Sequence, residues 1–261
     1  MPEEICPVCE GSGRELFERE GATVVRTCAC QAARVGQRLF EAARIPRILH
    51  DCGIEQAPLE ANDRFFLPQS NPQKKALEAV RHFVETYPEE RGSRRGFLLM
   101  GKPGTGKSHL LAGALRELTL RHHIPCRYVE FFHLLSELKE GYSRGKSELE
   151  IIAPLVDVEV LAVDELGKGR GSEWELYVMD EIISRRYNAG KATLFATNYT
   201  LDKRTTLETM GRYVKTGTAR DAERLTAETL EERVGVRIFS RLYEMCELVD
   251  MGSETKDYRR A

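Results

Sequence analysis

The run GKPGTGKS at positions 101–108 sets Gly101 five positions ahead of Gly106, with Lys107 and Ser108 directly after it. Glycines at this spacing let backbone N–H groups curl around phosphate oxygens, and a helix opening at the lysine adds partial positive charge. The residues expected to contact a nucleotide are Gly101, Lys102, Pro103, Gly104, Thr105, Gly106, Lys107, Ser108 and His109. Lys107 is expected to reach the β- and γ-phosphates of ATP, and Ser108 to hold Mg2+. A second run, VLAVDE at 160–165, is four apolar residues ending in two acids. Asp164 then stands at the carboxyl end of a buried strand, where sheets of this kind bind ligands, and is expected to hold Mg2+ through water. Glu165 is placed to polarise an attacking water, which favours hydrolysis over transfer to a second substrate and so an ATPase over a kinase. The run FATN ends a further strand, and Asn198 at its tip can orient water beside the γ-phosphate.

Four of the seven cysteines fall within the first 30 residues, as Cys6 and Cys9, an 18-residue gap, and then Cys28 and Cys30. Two close pairs at this distance can place four sulfurs around one tetrahedral zinc ion. The glycines after the first pair allow the tight turn a thiolate knuckle needs, although the C-x-C end departs from the usual C-x-x-C. Cys52, Cys126 and Cys246 are scattered and read as small buried apolar residues.

These groups need a scaffold, and the sequence alternates as a parallel α/β sheet does. Strands are expected at 96–101, 126–131, 158–165, 192–198 and 246–251, with helices between them. A helix is expected over 72–87, with Asn71 as its cap and Pro72 as its first residue. A further helix is expected from 107 to about 122. Residues 22–27, ATVVRT, suggest a hairpin strand within the cysteine module. The expected organisation is a zinc module over 1–33, a linker over 34–71 marked by Pro46, Pro58 and Pro68, and an ATPase domain over 72–261.

With these motifs in place, the chain resembles AAA+ ATPases, and most closely the DnaC/IstB family of helicase loaders and transposition helpers. The resemblance is carried by GKPGTGKSHL, VDELGK followed by SEWE, ISRRYNAGKATLFATN and RIFSRLYEMCELVDM. It implies a five-stranded parallel sheet in the order 5-1-4-3-2, without a full C-terminal lid, and an ATP site completed by a neighbouring subunit. It also implies that Asn198 is the first sensor and Arg241 the arginine finger, with Arg237, one turn earlier, as the other candidate. Arg259 matches a second sensor weakly. Single-stranded DNA contact is implied for 131–150, where Lys139, Arg144 and Lys146 can track a backbone. Phe131 or Phe132 there can stack on a base or fill the core. The stretch 202–220 carries Lys203, Arg204, Arg212, Lys215 and Arg220 against Asp202 and Glu208, which suits either nucleic acid or solvent.

The formal net charge of −2 makes any DNA contact local rather than global. No apolar run approaches the roughly 20 residues of a membrane helix, and the acidic start is unlike a secretory signal, so the chain is expected to be cytoplasmic. The first 33 residues carry Glu3, Glu4, Glu10, Glu15, Glu18 and Glu20 against Arg14, Arg19 and Arg26. That balance favours a protein partner for the module, a replicative helicase on the loader reading. The rival readings are a transposase helper and a nucleotide-switched adaptor with little hydrolysis.

Overall fold

The computed structural model describes residues 6–19, 21–54, 63–89, 95–201 and 229–252. After the short strands β1 (Arg14–Arg19), β2 (Ala22–Thr27), β3 (Cys52–Gly53) and β4 (Arg64–Phe65), the chain forms a central five-stranded parallel sheet of β5 (Gly96–Met100), β6 (Cys126–Glu130), β7 (Val160–Asp164), β8 (Thr193–Thr197) and β9 (Cys246–Asp250). The strands lie in the order β6-β7-β8-β5-β9. Read from the β9 edge and counted along the chain, that is fifth, first, fourth, third, second, as the resemblance implies.

The inner strands are buried throughout, so they read as continuous apolar runs and their alternation separates two cores. Phe97 and Leu99 of β5, with Val160 and Ala162 of β7, face a layer built on α2 (Asn71–Thr86) and α3 (Lys107–Arg116). Leu98, Met100, Leu161 and Val163 face the opposite layer. That layer holds α4 (Phe131–Ser143), α5 (Glu148–Asp157), α6 (Glu173–Asn188), and the short α7 (Leu230–Val234) and α8 (Val236–Met245). Ser147 and Ser172 start α5 and α6 with capping boxes to Glu150 and Glu175. Arg186 of α6 is fully buried and ties the two ends of this layer together. Its guanidinium donates to Thr193 Oγ1 at 2.9 Å and to the carbonyls of Leu155, Val158 and Ala192 at 2.7, 2.9 and 2.5 Å. Burial brings its pKa down to about 10.

Three expectations change. Ser70, not Asn71, caps α2: its side chain accepts from the Gln73 N–H, and Asn71 is already helical. The helix after the phosphate loop leaves α geometry at Arg116 and finishes as a π turn over Glu117–Arg121. The third change is the largest, because the described part of 34–71 is no linker. The module's second strand passes directly into α1 (Ala29–Ala42), and Phe40, Ala43, Ile45, Cys52, Ile54 and Phe66 are buried in the core beside α3. The Tyr128 N–H donates to the Ala43 carbonyl at 2.8 Å, fixing the exit of α1 against the β6 edge. Arg116 closes the segment over α3 through a buried ion pair to Asp63 at 2.7 Å and a hydrogen bond to the Cys52 carbonyl at 3.2 Å. A pair removed this far from water holds only if its partners stay matched. Pro46 leads into a short 3-10 turn at Arg47–Leu49 within this packed strap.

Candidate functional site

The phosphate loop joins β5 to α3 at the carboxyl edge of the sheet. Gly101, Gly104 and Gly106 have φ of 149°, 81° and 95°. At Gly106 a side chain is excluded twice over, by the left-handed backbone and because a Cβ would lie 2.3 Å from the Phe66 ring. Lys107 is buried, and its ammonium donates to the carbonyls of Gly101 and Lys102 at 2.8 and 2.7 Å. Thr105 Oγ1 donates to Lys102 O at 2.9 Å, and the buried Gln73 amide donates to Thr105 O at 3.0 Å, so α2 braces the loop. Ser108 follows, half-buried, in the first turn of α3. The His109 side chain is committed elsewhere. Its Nε2 lies 3.1 Å from Gly53 O and its ring packs on Phe66, so it joins α3 to the strap. Burial lowers its pKa.

Asp164 ends β7 and is buried. Tyr128 donates its hydroxyl to Asp164 Oδ2 at 2.5 Å, and the Glu165 N–H donates to Oδ1 at 2.8 Å, which fixes the carboxylate plane. Burial, then the Asp164 carboxylate, push the Tyr128 pKa well up, so the phenol stays a donor. Glu165 has φ of 54°, an uncommon conformation for a residue with a side chain. Its carboxylate is ion-paired with Lys168. Burial raises the Glu165 pKa, but hydrogen bonding with Glu130 and Lys168 outweighs this and holds the carboxyl below the ordinary glutamate range. Glu130, next to it, is shifted up by burial and by Glu165.

Asn198 follows β8, the strand between β7 and β5, and so stands between the two acids and the phosphate loop. The Gly101 N–H donates to Thr197 O at 3.3 Å, and Thr197 Oγ1 donates to Leu166 O at 2.8 Å, so the three motifs are stitched at one edge. Arg241 and Arg237 lie on α8 and both face Asp180 of α6. Glu244, the acid one turn along from Arg241, accepts instead from the Tyr187 hydroxyl at 2.7 Å.

The cysteines converge. The four sulfurs of Cys6, Cys9, Cys28 and Cys30 all lie within 4.8 Å of one another. Zn–S bonds of about 2.3 Å in a tetrahedron put sulfurs about 3.8 Å apart, so the group is the right size for zinc. Cys6–Cys28 and Cys9–Cys30 separations are 3.9 and 3.4 Å. The first pair suits thiolates, whereas the Cys9 and Cys28 side chains push Cys30 up to about 12. N–H groups of Cys9 and Val8 lower the Cys6 pKa. Burial raises Cys9, yet the Cys30 side chain and the N–H groups of Gly13 and Gly11 bring it down to about 7. Cys28 is the N-cap of α1 and Cys30 lies in its first turn, which explains the C-x-C spacing, since a helix start replaces the second knuckle. A hairpin of β1 (Arg14–Arg19) and β2 (Ala22–Thr27) joins the two pairs.

Over 131–150 the two phenylalanines part. Phe131 is buried in the core, whereas Phe132 is 46% exposed. The sequence reading missed a surface group beside them. The Lys139 ammonium sits 5.1 Å from the Trp174 ring centroid, Tyr142 meets that ring edge-on at 6.4 Å, and Tyr177 is exposed. The lone tryptophan next to the second acidic motif was the available signal. The stretch 202–220 and Arg259 lie outside the described residues.

The sheet order, phosphate loop and two terminal acids define a P-loop ATP-binding protein of the AAA+ class. The model of the IstB-like ATP binding protein family matches residues 83–209. The replicative helicase loader DnaC of Escherichia coli K12 is 29% identical over 214 residues, covering 79% of this chain and 81% of that protein. The phage-like element PBSX protein XkdC of Bacillus subtilis is 28% identical over 205 residues, covering 76% and 73%. The crystal structure of the DnaC helicase loader superposes with a TM-score of 0.59 at 25% identity, over 79% of this chain and 99% of that one. That of DnaI superposes at 0.57 and 21% identity, over 85% and 100%, and supports the fold. The chain is similar to IstB/DnaC-like AAA+ proteins over most of its length. Among the described residues no helix is long and apolar enough to cross a membrane.

Proposed function

We propose that the chain is an ATP-hydrolysing loader of a replicative DNA helicase, working as a homo-oligomer. The observation that carries the reading is one sheet edge holding the phosphate loop, Asp164 with Glu165, and Asn198, in a chain similar to DnaC over 79% of its length. The match to the IstB-like model is confined to 83–209, the ATPase body. The DnaC likeness extends beyond it and favours the loader over a transposition helper.

Lys107 binds the β- and γ-phosphates, exchanging the loop carbonyls it now contacts for phosphate oxygens. Ser108 and Asp164 supply the oxygens that hold Mg2+, and the fixed Asp164 carboxylate fits that task. The ion neutralises phosphate charge when bound. Glu165 accepts a proton from the attacking water, Asn198 orients that water, and a neighbour's Arg241 offsets charge on the transferring phosphoryl group. Single-stranded DNA lies along α4, with Lys139 on its backbone and Trp174 and Tyr142 offering stacking faces.

A zinc ion held by Cys6, Cys9, Cys28 and Cys30 maintains the hairpin, which buries too little by itself to fold. Protein purified without chelator should carry one zinc per chain by elemental analysis. Cys28→Ser should lose the metal and expose 6–27 to protease. A hairpin that stays protected in metal-free protein overturns this.

The hairpin is the helicase-docking surface. Val8, Leu16 and Val25 are 60%, 68% and 56% exposed, and Leu16 and Val25 are directly paired across the strands. Apolar side chains grouped this way on an acidic module suit a protein partner better than phosphate. Removing 1–33 would cut into α1 and disturb the core, so point substitutions test the idea cleanly. Leu16→Asp with Val25→Asp should abolish retention of the host's replicative helicase in a pull-down while ATP hydrolysis continues. Undiminished retention would show that docking lies elsewhere.

A further inference from the structure

Two arginines one helical turn apart share a single carboxylate. Arg241 Nη1 donates to Asp180 Oδ1 at 3.0 Å, and Arg237 Nη2 lies 3.4 Å from Oδ2. Ser184 Oγ, one turn along α6, donates to the same Oδ1 at 3.0 Å and holds the carboxylate in place. The Tyr187 ring lies behind Arg241, with the guanidinium 6.0 Å from its centroid. The competing acid, Glu244, is engaged by the Tyr187 hydroxyl. The side chains are 22% exposed for Arg241 and 72% for Arg237. One arginine is therefore fastened against its own chain, and Asp180 is the acid that fastens it.

An arginine that completes a neighbour's ATP site must leave any carboxylate it holds and take up phosphate oxygens. We propose that Asp180 is a positioning residue that parks Arg241 within its own chain, and that this pairing competes with the neighbour's nucleotide. Asp180 thereby sets the protein concentration at which the shared site becomes complete. The inference rests on reading Arg241 as the finger. Its physics is that of an ion pair about three-quarters buried, strong enough to order the side chain and still open enough to solvent to be exchanged for a more highly charged phosphate. Arg237 strengthens the device by keeping the second carboxylate oxygen occupied, so that Asp180 stays aimed.

The test is the specific rate of ATP hydrolysis as a function of protein concentration. Asp180→Asn should move the midpoint of that rise to at least about two- to fivefold lower concentration, the range that even a weak ion pair can shift an equilibrium. Asp180→Glu, which keeps the charge, should restore a parent-like midpoint. A carboxylate that merely supports the fold would give the opposite result, a lower rate at every concentration and no rescue by charge. An unchanged or higher midpoint in Asp180→Asn overturns the proposal. Arg241→Ala measured alongside separates the two layers of the argument. If it loses hydrolysis while Asp180→Asn leaves the midpoint in place, parking is wrong and the finger stands. If Arg241→Ala hydrolyses ATP like the parent, the finger reading fails and parking fails with it.

Discussion

Glu165→Gln is expected to bind ATP as the parent does and to hydrolyse it about 10²–10⁴-fold more slowly, the usual contribution of a positioned general base. The amide keeps the length and planarity of the side chain and leaves Asp164 and Ser108 untouched, so the nucleotide and Mg2+ sites remain. It cannot accept the proton of the attacking water. The backbone is no obstacle, because a glutamine adopts the 54° φ of this position as readily as a glutamate. Lys107→Ala is the contrasting variant. It should weaken ATP binding itself, since the buried ammonium is aimed into the loop. Equilibrium nucleotide binding and phosphate release, measured on both proteins, separate the two effects. The pH profile is a second readout. The Glu165 carboxyl is held below the ordinary glutamate range by Glu130 and Lys168 acting against burial. A group whose pKa is lowered keeps its charge as pH falls, so the parent's rate should hold from neutral pH down to the acid side of that range. An acid limb near neutrality would show that another group titrates. Parent-like hydrolysis by Glu165→Gln would falsify the assignment outright.

What the sequence disclosed and what it hid follow from the range of the interactions involved. The phosphate loop and the two acids are set by residues adjacent in the chain, and the five sheet strands are continuous apolar runs because both faces are covered. The cysteine cluster was equally legible, since its two pairs are local and only a hairpin separates them. The strap over 34–71 was not. Prolines and charges there signal turns, and nothing local shows that Ile54 and Phe66 pack on α3 or that Asp63 meets Arg116, 53 residues away. Helix α5 was hidden in the same way, because Pro154 reads as a breaker although it sits inside the helix. Phe131 and Phe132 are alike by composition, and only the turn of α4 assigns one to the core and the other to the surface. The partner of Arg241 was the hardest case. Glu244 is the neighbour in sequence, yet Tyr187 takes that acid, and the arginine pairs with Asp180 across two helices.

That pairing bears on the second large effect. Arg241→Ala is expected to leave ATP binding intact and to lower hydrolysis by about 10³–10⁵, the range over which a finger arginine acts on phosphoryl transfer. The side chain contributes little to the fold. It is about three-quarters buried, and loss of its pair with Asp180 should cost on the order of 1 kcal/mol, a small fall in thermal stability. Within one chain the guanidinium is bound to Asp180 on α6, and on the finger reading its action on phosphate comes through a second copy. Two consequences separate this from a local structural role. The parent's specific activity should rise with protein concentration, and that rise should disappear in Arg241→Ala. Mixing Arg241→Ala, which keeps an intact phosphate loop, with Lys107→Ala, which keeps an intact finger, should restore hydrolysis that neither protein has alone. Arg237→Ala is the internal control. It removes the more exposed of the two arginines and should cost far less if Arg241 is the group that crosses the interface. If instead Arg237→Ala abolishes hydrolysis in the mixture while Arg241→Ala does not, the roles of the two arginines are exchanged. A rate independent of concentration, with no recovery on mixing, would mean that each chain completes its own site and that the charge offset comes from elsewhere in the fold.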